Sequence, residues 1–359
     1  MKFWDYNNID KNKIGNISQI AGLRHYEFVD GKAKGVEAVE VHTGSGLEFT
    51  VLPGRGMDIA WTAYRGTPIN YMSKTGIVAP GYYESEGMGW LHSFFAGTLT
   101  TCGLLNVGKP DLVKHPVIGE RSYGLHGRIT NCAAEQISLY EAWEDGDYVM
   151  KVSGLVREGI LHGEHLTLRR EISTKLGSKE FKIKDIVTNL AAFPQEIMLL
   201  YHINVGYPLL DSNSRLIANS KEITPQSEEA RQELDRAAFC GEPILGKEEH
   251  CYGHDLIPDE NGLVKVALVN ENLEVGVSLE YKKEGLPYFN QWKMLNQKEY
   301  VIGLEPGTCL PVGYVKAKEN GMVSVLQPDE SKTYEIVYRI LDGREEIEQY
   351  EKEIKNAGA

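Results

Sequence analysis

Long apolar runs are missing from this sequence of 359 residues. The longest, over 197–210, is interrupted by His202 and Asn204, and the N-terminal Met1-Lys2-Phe3-Trp4-Asp5 opening lacks the apolar centre of a signal peptide. No membrane partner is expected. Cysteine is scarce too: five residues, an odd number, widely spread and with no C-x-x-C pair, so neither a disulfide framework nor a zinc ribbon is expected. Reduced thiols and the absent leader point to a cytoplasmic protein. Basic residues are outnumbered, 38 Lys and Arg against 51 Asp and Glu, for a formal charge of −13. A phosphate backbone would meet net repulsion, which excludes nucleic acid as the expected partner. Also absent are a P-loop, a G-x-G-x-x-G opening a helix, H-E-x-x-H and G-x-S-x-G, which removes the commonest nucleotide, zinc-protease and serine-hydrolase readings.

What is present is alternation. Tyr334, Ile336, Tyr338 and Ile340 are set against Glu335 and Arg339, and Phe181 and Ile183 against Lys182 and Lys184. The same character predicts strands over 148–156, 165–174, 180–189, 196–207, 263–281 and 300–304. Turn signals such as Glu144-Asp145-Gly146 and Leu176-Gly177-Ser178 separate them. Helical spacing is confined to 227–239 and to a tail over about 342–359, where Ile347, Tyr350 and Ile354 recur. No repeat or Pro/Ser-rich linker marks a boundary, so one all-β domain over 1–359 is expected. Segment 76–116, rich in Gly and aromatics with weak periodicity, reads as long loops, which in a compact domain are more often functional than idle.

Three segments place an ionisable side chain among glycines or apolar residues: Gly124-Leu125-His126-Gly127-Arg128, Leu199-Leu200-Tyr201-His202-Ile203-Asn204 and Ile302-Gly303-Leu304-Glu305-Pro306-Gly307. A histidine in an apolar strand is most often a hydrogen-bonded structural residue, and a strand-end glutamate can simply pair with an arginine. Together, a buried carboxylate and imidazoles can instead face one another as a general acid/base set with neither nucleophile nor metal. Cys240, His250, Cys251 and His254 cluster in sequence, but their spacing fits no zinc module.

The order of these segments resembles the galactose mutarotase-like, aldose 1-epimerase related superfamily. With Leu52-Pro53-Gly54-Arg55-Gly56-Met57-Asp58-Ile59 and Thr101-Cys102-Gly103-Leu104 added, the sequence resembles one bacterial branch of it, the DUF4432 family, over about 15–341. The resemblance implies a β-supersandwich of large antiparallel sheets with few short helices and a sugar site on the concave side. It further implies a metal-independent isomerase of aldose 1-epimerase type that binds a small-molecule sugar and needs no cofactor. Glu305 would take the proton of the anomeric hydroxyl, His202 would protonate the ring oxygen, and His126 would orient the sugar. The same residues acting at carbon would give an aldose–ketose isomerase or an epimerase of a neutral or acidic sugar, and a cleft without turnover would give a carbohydrate-binding protein.

The Asn-Arg pair that precedes the first histidine in aldose 1-epimerases has no match here; Arg55 and Asp58 stand in its place. Arg55 and Arg128 would either form a salt bridge within the fold or read an anionic group on an acidic sugar. Asn204, following the strand histidine, is a further substrate-binding candidate. Gln291 and Trp292 combine an amide with an aromatic platform, suited to hydroxyls and to a pyranose face, with core packing the alternative for Trp292. His254, beside Asp255, falls where mutarotases carry a sugar-binding acid.

Overall fold

A computed structural model describes residues 9–115 and 119–358; Met1 to Asp5, on which the expectation about a leader rests, lie outside them. Among the described residues two large antiparallel sheets dominate. The first runs, in spatial order, through Gly22–Glu27, Glu37–His42, Leu47–Leu52, Asp58–Tyr64, Leu99–Leu104, Gln195–Gly206, Glu299–Gly307, Tyr288–Asn296, His250–Leu256 and Ser220–Pro225. The second runs through Ala134–Glu144, Asp147–Gly159, His165–Lys175, Glu180–Asn189, Ser331–Asp342, Val275–Lys282, Leu263–Asn270 and Ser214–Ala218. This is the all-β supersandwich expected.

The two sheets share one apolar core, which follows from the period of two. Alternate residues of Gln195–Gly206, namely Ile197, Leu199, Tyr201, Ile203 and Val205, meet Phe181, Ile183, Val187, Ile336 and Tyr338 of the second sheet. Phe181 lies 4.4 Å from Phe49 of the first sheet and stacks at 4.8 Å on Tyr338 of its own. The charged residues of this core are held as a set. Arg170 makes a bidentate pair with Asp185 (2.8 and 2.6 Å) and reaches Asp58 at 3.1 Å, and the Tyr201 hydroxyl donates to Asp185 at 2.7 Å. All four are fully buried, and the opposed charges satisfy one another where an unpaired one would be prohibitive.

Three expectations need correction. The stretch 263–281 is two strands, because Asn270 Oδ1 accepts the Asn272 and Leu273 amides (3.1 and 3.0 Å) and turns the chain into a hairpin. The expected helix at 227–239 shrinks to Glu228–Gln232 followed by a 3-10 turn, Leu234–Arg236, since only Ala230 and Ala237 offer it an apolar face. Segment 76–116 is not all loop: Leu99–Leu104 is a central strand of the first sheet, fully buried and therefore without alternation. The tail does form a helix, Arg344–Lys355, whose Ile347, Tyr350 and Ile354 cover Ile217, Ala267, Val269 and Leu341 on the outer face of the second sheet. No helix among the described residues is long and apolar enough to cross a membrane.

Candidate functional site

The face of the first sheet turned away from the shared core carries the residues that the alternation assigns to the other set. On Gln195–Gly206 these are Met198, Leu200, His202 and Asn204, and on Glu299–Gly307 they are Gly303, Glu305 and Gly307. The register between the strands, with Leu200 opposite Gly307 and Ile203 opposite Leu304, sets His202 directly across from Glu305. His202 Nε2 lies 3.1 Å from Glu305 Oε1, with the histidine 5% and the glutamate 1% exposed. The pair is close without hydrogen-bond alignment, so Oε1 has no hydrogen-bond partner, while Oε2 accepts the Asn290 amide at 2.6 Å. Gly303 makes room for the carboxyl: a Cβ there would stand 2.2 Å from Glu305 Oε1.

The environment is dry, and it sets the charge of the pair. Burial raises the Glu305 pKa to about 8; the Asn290 hydrogen bond opposes this and the Glu249 charge adds to it. Burial lowers that of His202 to about 4, and the Asn204 amide counters part of the shift. At neutral pH the two groups together therefore hold one proton, and it rests on the carboxyl.

His126 arrives from the loop above. Its backbone is left-handed, φ 55°, a conformation costing about 1 kcal/mol or more for a non-glycine residue, and it is held there by Gly103 N–H donating to its carbonyl and its own N–H donating to Gly108 (both 2.9 Å). The next residue must be glycine, since a Cβ on Gly127 would meet the Gly103 carbonyl oxygen at 2.3 Å. Gly108 N–H donates to His126 Nδ1 at 3.3 Å, which assigns the ring proton to Nε2. The rings of His126 and His202 stand edge to face, 5.8 Å apart. Burial, then repulsion from His202, lowers the His126 pKa to about 3, so this ring is neutral.

Aromatic side chains wall the site. Trp292 lies 5.2 Å from the His202 ring and donates its indole N–H to Glu249 at 2.7 Å. Phe94 stands edge-on to both, 5.3 Å from His202 and 6.3 Å from Trp292, and stacks at 4.5 Å on Trp90. Trp90 in turn contacts His126 at 4.8 Å.

The structure thus brings together His126, His202, Asn204, Trp292 and Glu305, and separates the other candidates from them. Gln291 and Trp292 are successive strand residues and cannot share a face: Gln291 turns away, donating to the Ala237 carbonyl and meeting His254 Nε2 at 3.1 Å. His254 lies on that same reverse side, its Nδ1 2.9 Å from the Ser220 hydroxyl. The residue that reaches the site is Asn290, missed in the sequence although it is two positions from Trp292 and so on its face.

Arg55 and Asp58 are structural and not paired with each other. Arg55 is 0% exposed and spends its guanidinium on the carbonyls of Thr130 (2.9 Å), Ser93 (3.1 Å) and Val78. Asp58, equally buried, accepts from Thr101, Thr130 and Arg170. Neither has surface to offer a ligand. Arg128 faces a separate cavity of about 280 Å³ with Tyr83, Tyr123 and Glu158, and its charge acts on Tyr83 and Glu158. A larger cavity of about 590 Å³, lined by His42 and Glu48 near the sheet edge, is likewise remote from the His202–Glu305 pair. Among the described residues no group of three or more His, Cys, Asp or Glu is arranged to hold a metal ion. Trp90 and Phe94, on loops without periodicity, had no sequence signal beyond the aromatic richness of their segment.

A family model described as a domain of unknown function, DUF4432, matches residues 33–340. Among solved structures, a candidate aldose 1-epimerase from Klebsiella pneumoniae superposes with a TM-score of 0.89 at 25% identity, over 96% of this chain and 91% of its own. A galactose mutarotase-like protein from Clostridium acetobutylicum gives 0.64 at 14% identity, over 90% of this chain and 99% of its own. Galactose 1-epimerase from Lactobacillus acidophilus gives 0.58 at 11% identity, over 90% and 100%. Among curated proteins no sequence match is found.

Proposed function

The chain belongs to the DUF4432 family within the galactose mutarotase-like fold, and on that premise we propose that it interconverts the anomers of an aldose by acid/base catalysis at His202 and Glu305. The observation that carries this reading is the buried pair itself, an imidazole nitrogen and a carboxyl oxygen 3.1 Å apart, whose burial favours a protonated carboxyl beside a neutral imidazole. Ring opening of an aldose needs a proton removed from the anomeric hydroxyl and one delivered to the ring oxygen. Those two oxygens sit on the same carbon, so adjacent acceptor and donor groups suit them.

With the proton resting on the carboxyl, Glu305 donates to the ring oxygen while His202 Nε2 accepts from the hydroxyl. The carbon–ring-oxygen bond breaks, the hydroxyl oxygen becomes the carbonyl, and the pair ends with a carboxylate and an imidazolium. After rotation about the next carbon–carbon bond, addition to the other carbonyl face returns both protons. The resting roles are thereby the reverse of those the family resemblance implies, and they exchange as the ring closes. Nε2–H of His126 donates to the sugar, Trp292 stacks on its apolar face, the Asn204 amide N–H holds the His202 backbone carbonyl, and Asn290 holds the Glu305 carboxyl in orientation.

The test is anomer exchange, followed by NMR across neutral and acidic aldoses, for wild type, Glu305→Gln and His202→Ala. Exchange in wild type that collapses in both variants supports the assignment; equal rates in all three would sink it. Solvent deuterium bound to carbon in the recovered sugar would replace anomer exchange with isomerisation at carbon.

A further inference from the structure

Among the described residues, eight buried side-chain polar atoms have no hydrogen-bond partner. Four of these, Trp90 Nε1, His202 Nδ1, Asn204 Oδ1 and Glu305 Oε1, belong to the walls of this one site. A buried donor or acceptor left unmade costs about 1–3 kcal/mol, and native folds seldom carry one without a use for it. Three of the four sit on residues already placed in the chemistry. Trp90 does not.

The Trp90 ring is 2% exposed, stacked on Phe94 and in contact with His126. An indole N–H can only donate, so it needs an acceptor. In the neighbouring His126 ring, the nitrogen with the lone pair, Nδ1, already accepts from Gly108 N–H. Packing against Phe94 and His126 confines the indole, and its backbone is held in place. The Ser93 N–H and hydroxyl both donate to the Trp90 carbonyl (3.0 and 3.2 Å), and Arg55 holds the Ser93 carbonyl at 3.1 Å. The loop is pinned from beneath by a guanidinium that cannot leave, and it fixes a donor at the wall of the site with nothing to donate to.

We propose that Trp90 is a substrate-binding residue, its indole N–H donating to an oxygen of the bound sugar. The proposal rests on the sugar-site reading above. It assigns the loop that carries Trp90 and Phe94 a recognition role in addition to that of an apolar cover, and it makes one sugar oxygen a required acceptor.

Trp90→Phe keeps a ring against Phe94 and His126 and deletes only the donor. The expected result is a fall in kcat/KM of about 2- to 12-fold on the parent aldose, the worth of one neutral hydrogen bond. Against the one monodeoxy aldose that lacks the partner hydroxyl, wild type and variant should be equal; if the acceptor is the ring oxygen, a carbocyclic analogue plays that part in binding. The ligand-free variant should melt no lower than wild type, because an orphaned donor is removed. In wild type itself, one of the five indole N–H resonances should move downfield and exchange more slowly when sugar is added.

A uniform loss across the parent and every analogue would make Trp90 a packing residue and overturn the proposal. So would an unchanged kcat/KM, or five unmoved indole signals at saturating sugar. If wild type binds aldoses without exchanging their anomers, the mutarotase reading falls alone and Trp90 is judged by affinity. Should it bind no aldose at all, both fall.

Discussion

His202 and Glu305 stand opposite one another on neighbouring antiparallel strands, 3.1 Å from nitrogen to oxygen, and no Lys or Arg contributes to the pKa shift of either. Their protonation is set chiefly by burial, with Asn204 acting on the histidine and Asn290 and Glu249 on the glutamate, and several measurable outcomes depend on this.

The first is a pH profile. The one-proton state exists above the His202 pKa of about 4 and below the Glu305 pKa of about 8. Enzymatic kcat/KM for anomer exchange should be level between these values and fall tenfold per unit beyond each. A limb near pH 6.5, as for a solvated histidine, would contradict the dry pair.

Glu305→Gln should lower kcat by about 10²–10⁴, the usual worth of a general acid or base. It should also change stability in a pH-dependent way. Because the folded-state pKa is raised from 4.5 to about 8, the folded wild type holds a proton that the unfolded chain releases. Wild-type stability is therefore lost progressively as pH rises from 4.5 to 8. The glutamine variant escapes that loss, so its advantage in melting temperature should be absent below about pH 4, grow between 4.5 and 8, and level off above. Parallel melting curves across this range would refute the burial argument.

Gly303→Ala tests the space beneath the carboxyl. The backbone there is compatible with alanine, but the new methyl would stand 2.2 Å from Glu305 Oε1 and 3.0 Å from Trp292 Cβ. The carboxyl must move, and kcat should fall about 100-fold, as displacements of this size do. The protein should remain folded at a cost of about 1–3 kcal/mol, to be measured by urea unfolding. Full activity would show that Glu305 does not act from this position.

Arg55→Met would strand the carbonyls of Thr130, Ser93 and Val78. At about 1–3 kcal/mol for each buried acceptor, a loss of about 3 kcal/mol or more is expected in denaturant unfolding. Arg55→Lys restores the charge without the fork and should recover only part of it. In both, KM should rise more than kcat falls, because Ser93 holds the loop of Trp90 and Phe94 and not the proton-transfer pair. A variant as stable as wild type would show that these carbonyls find other donors.

Much of this architecture is readable from alternation. The strand Glu180–Asn189 has the bounds read from Phe181 and Ile183, and the helical tail is where Ile347, Tyr350 and Ile354 place it. His202 and Glu305 were legible because an ionisable group in an apolar strand is costly unless it is used. The errors have physical causes. Pairing Gln291 with Trp292 ignored the period of two that had identified the strands, and the same rule would have given Asn290. Arg55 and Asp58 look like surface charges because they lie among glycines in a turn. Their burial depends on Arg170 and on three carbonyls from 23, 38 and 75 residues away, which no local pattern encodes. Leu99–Leu104 is buried on both faces and lost its alternation with its solvent.

The strand Gln195–Gly206 sends Leu199, Tyr201 and Ile203 into the core between the sheets and Leu200, His202 and Asn204 to the site. A substitution can therefore alter one function of this strand and spare the other, whereas the loss or gain of a single residue would exchange them at once, burying the histidine against Phe181 and exposing the core tyrosine to the ligand. The chemistry of this strand can be retuned letter by letter, but its length is not open to change.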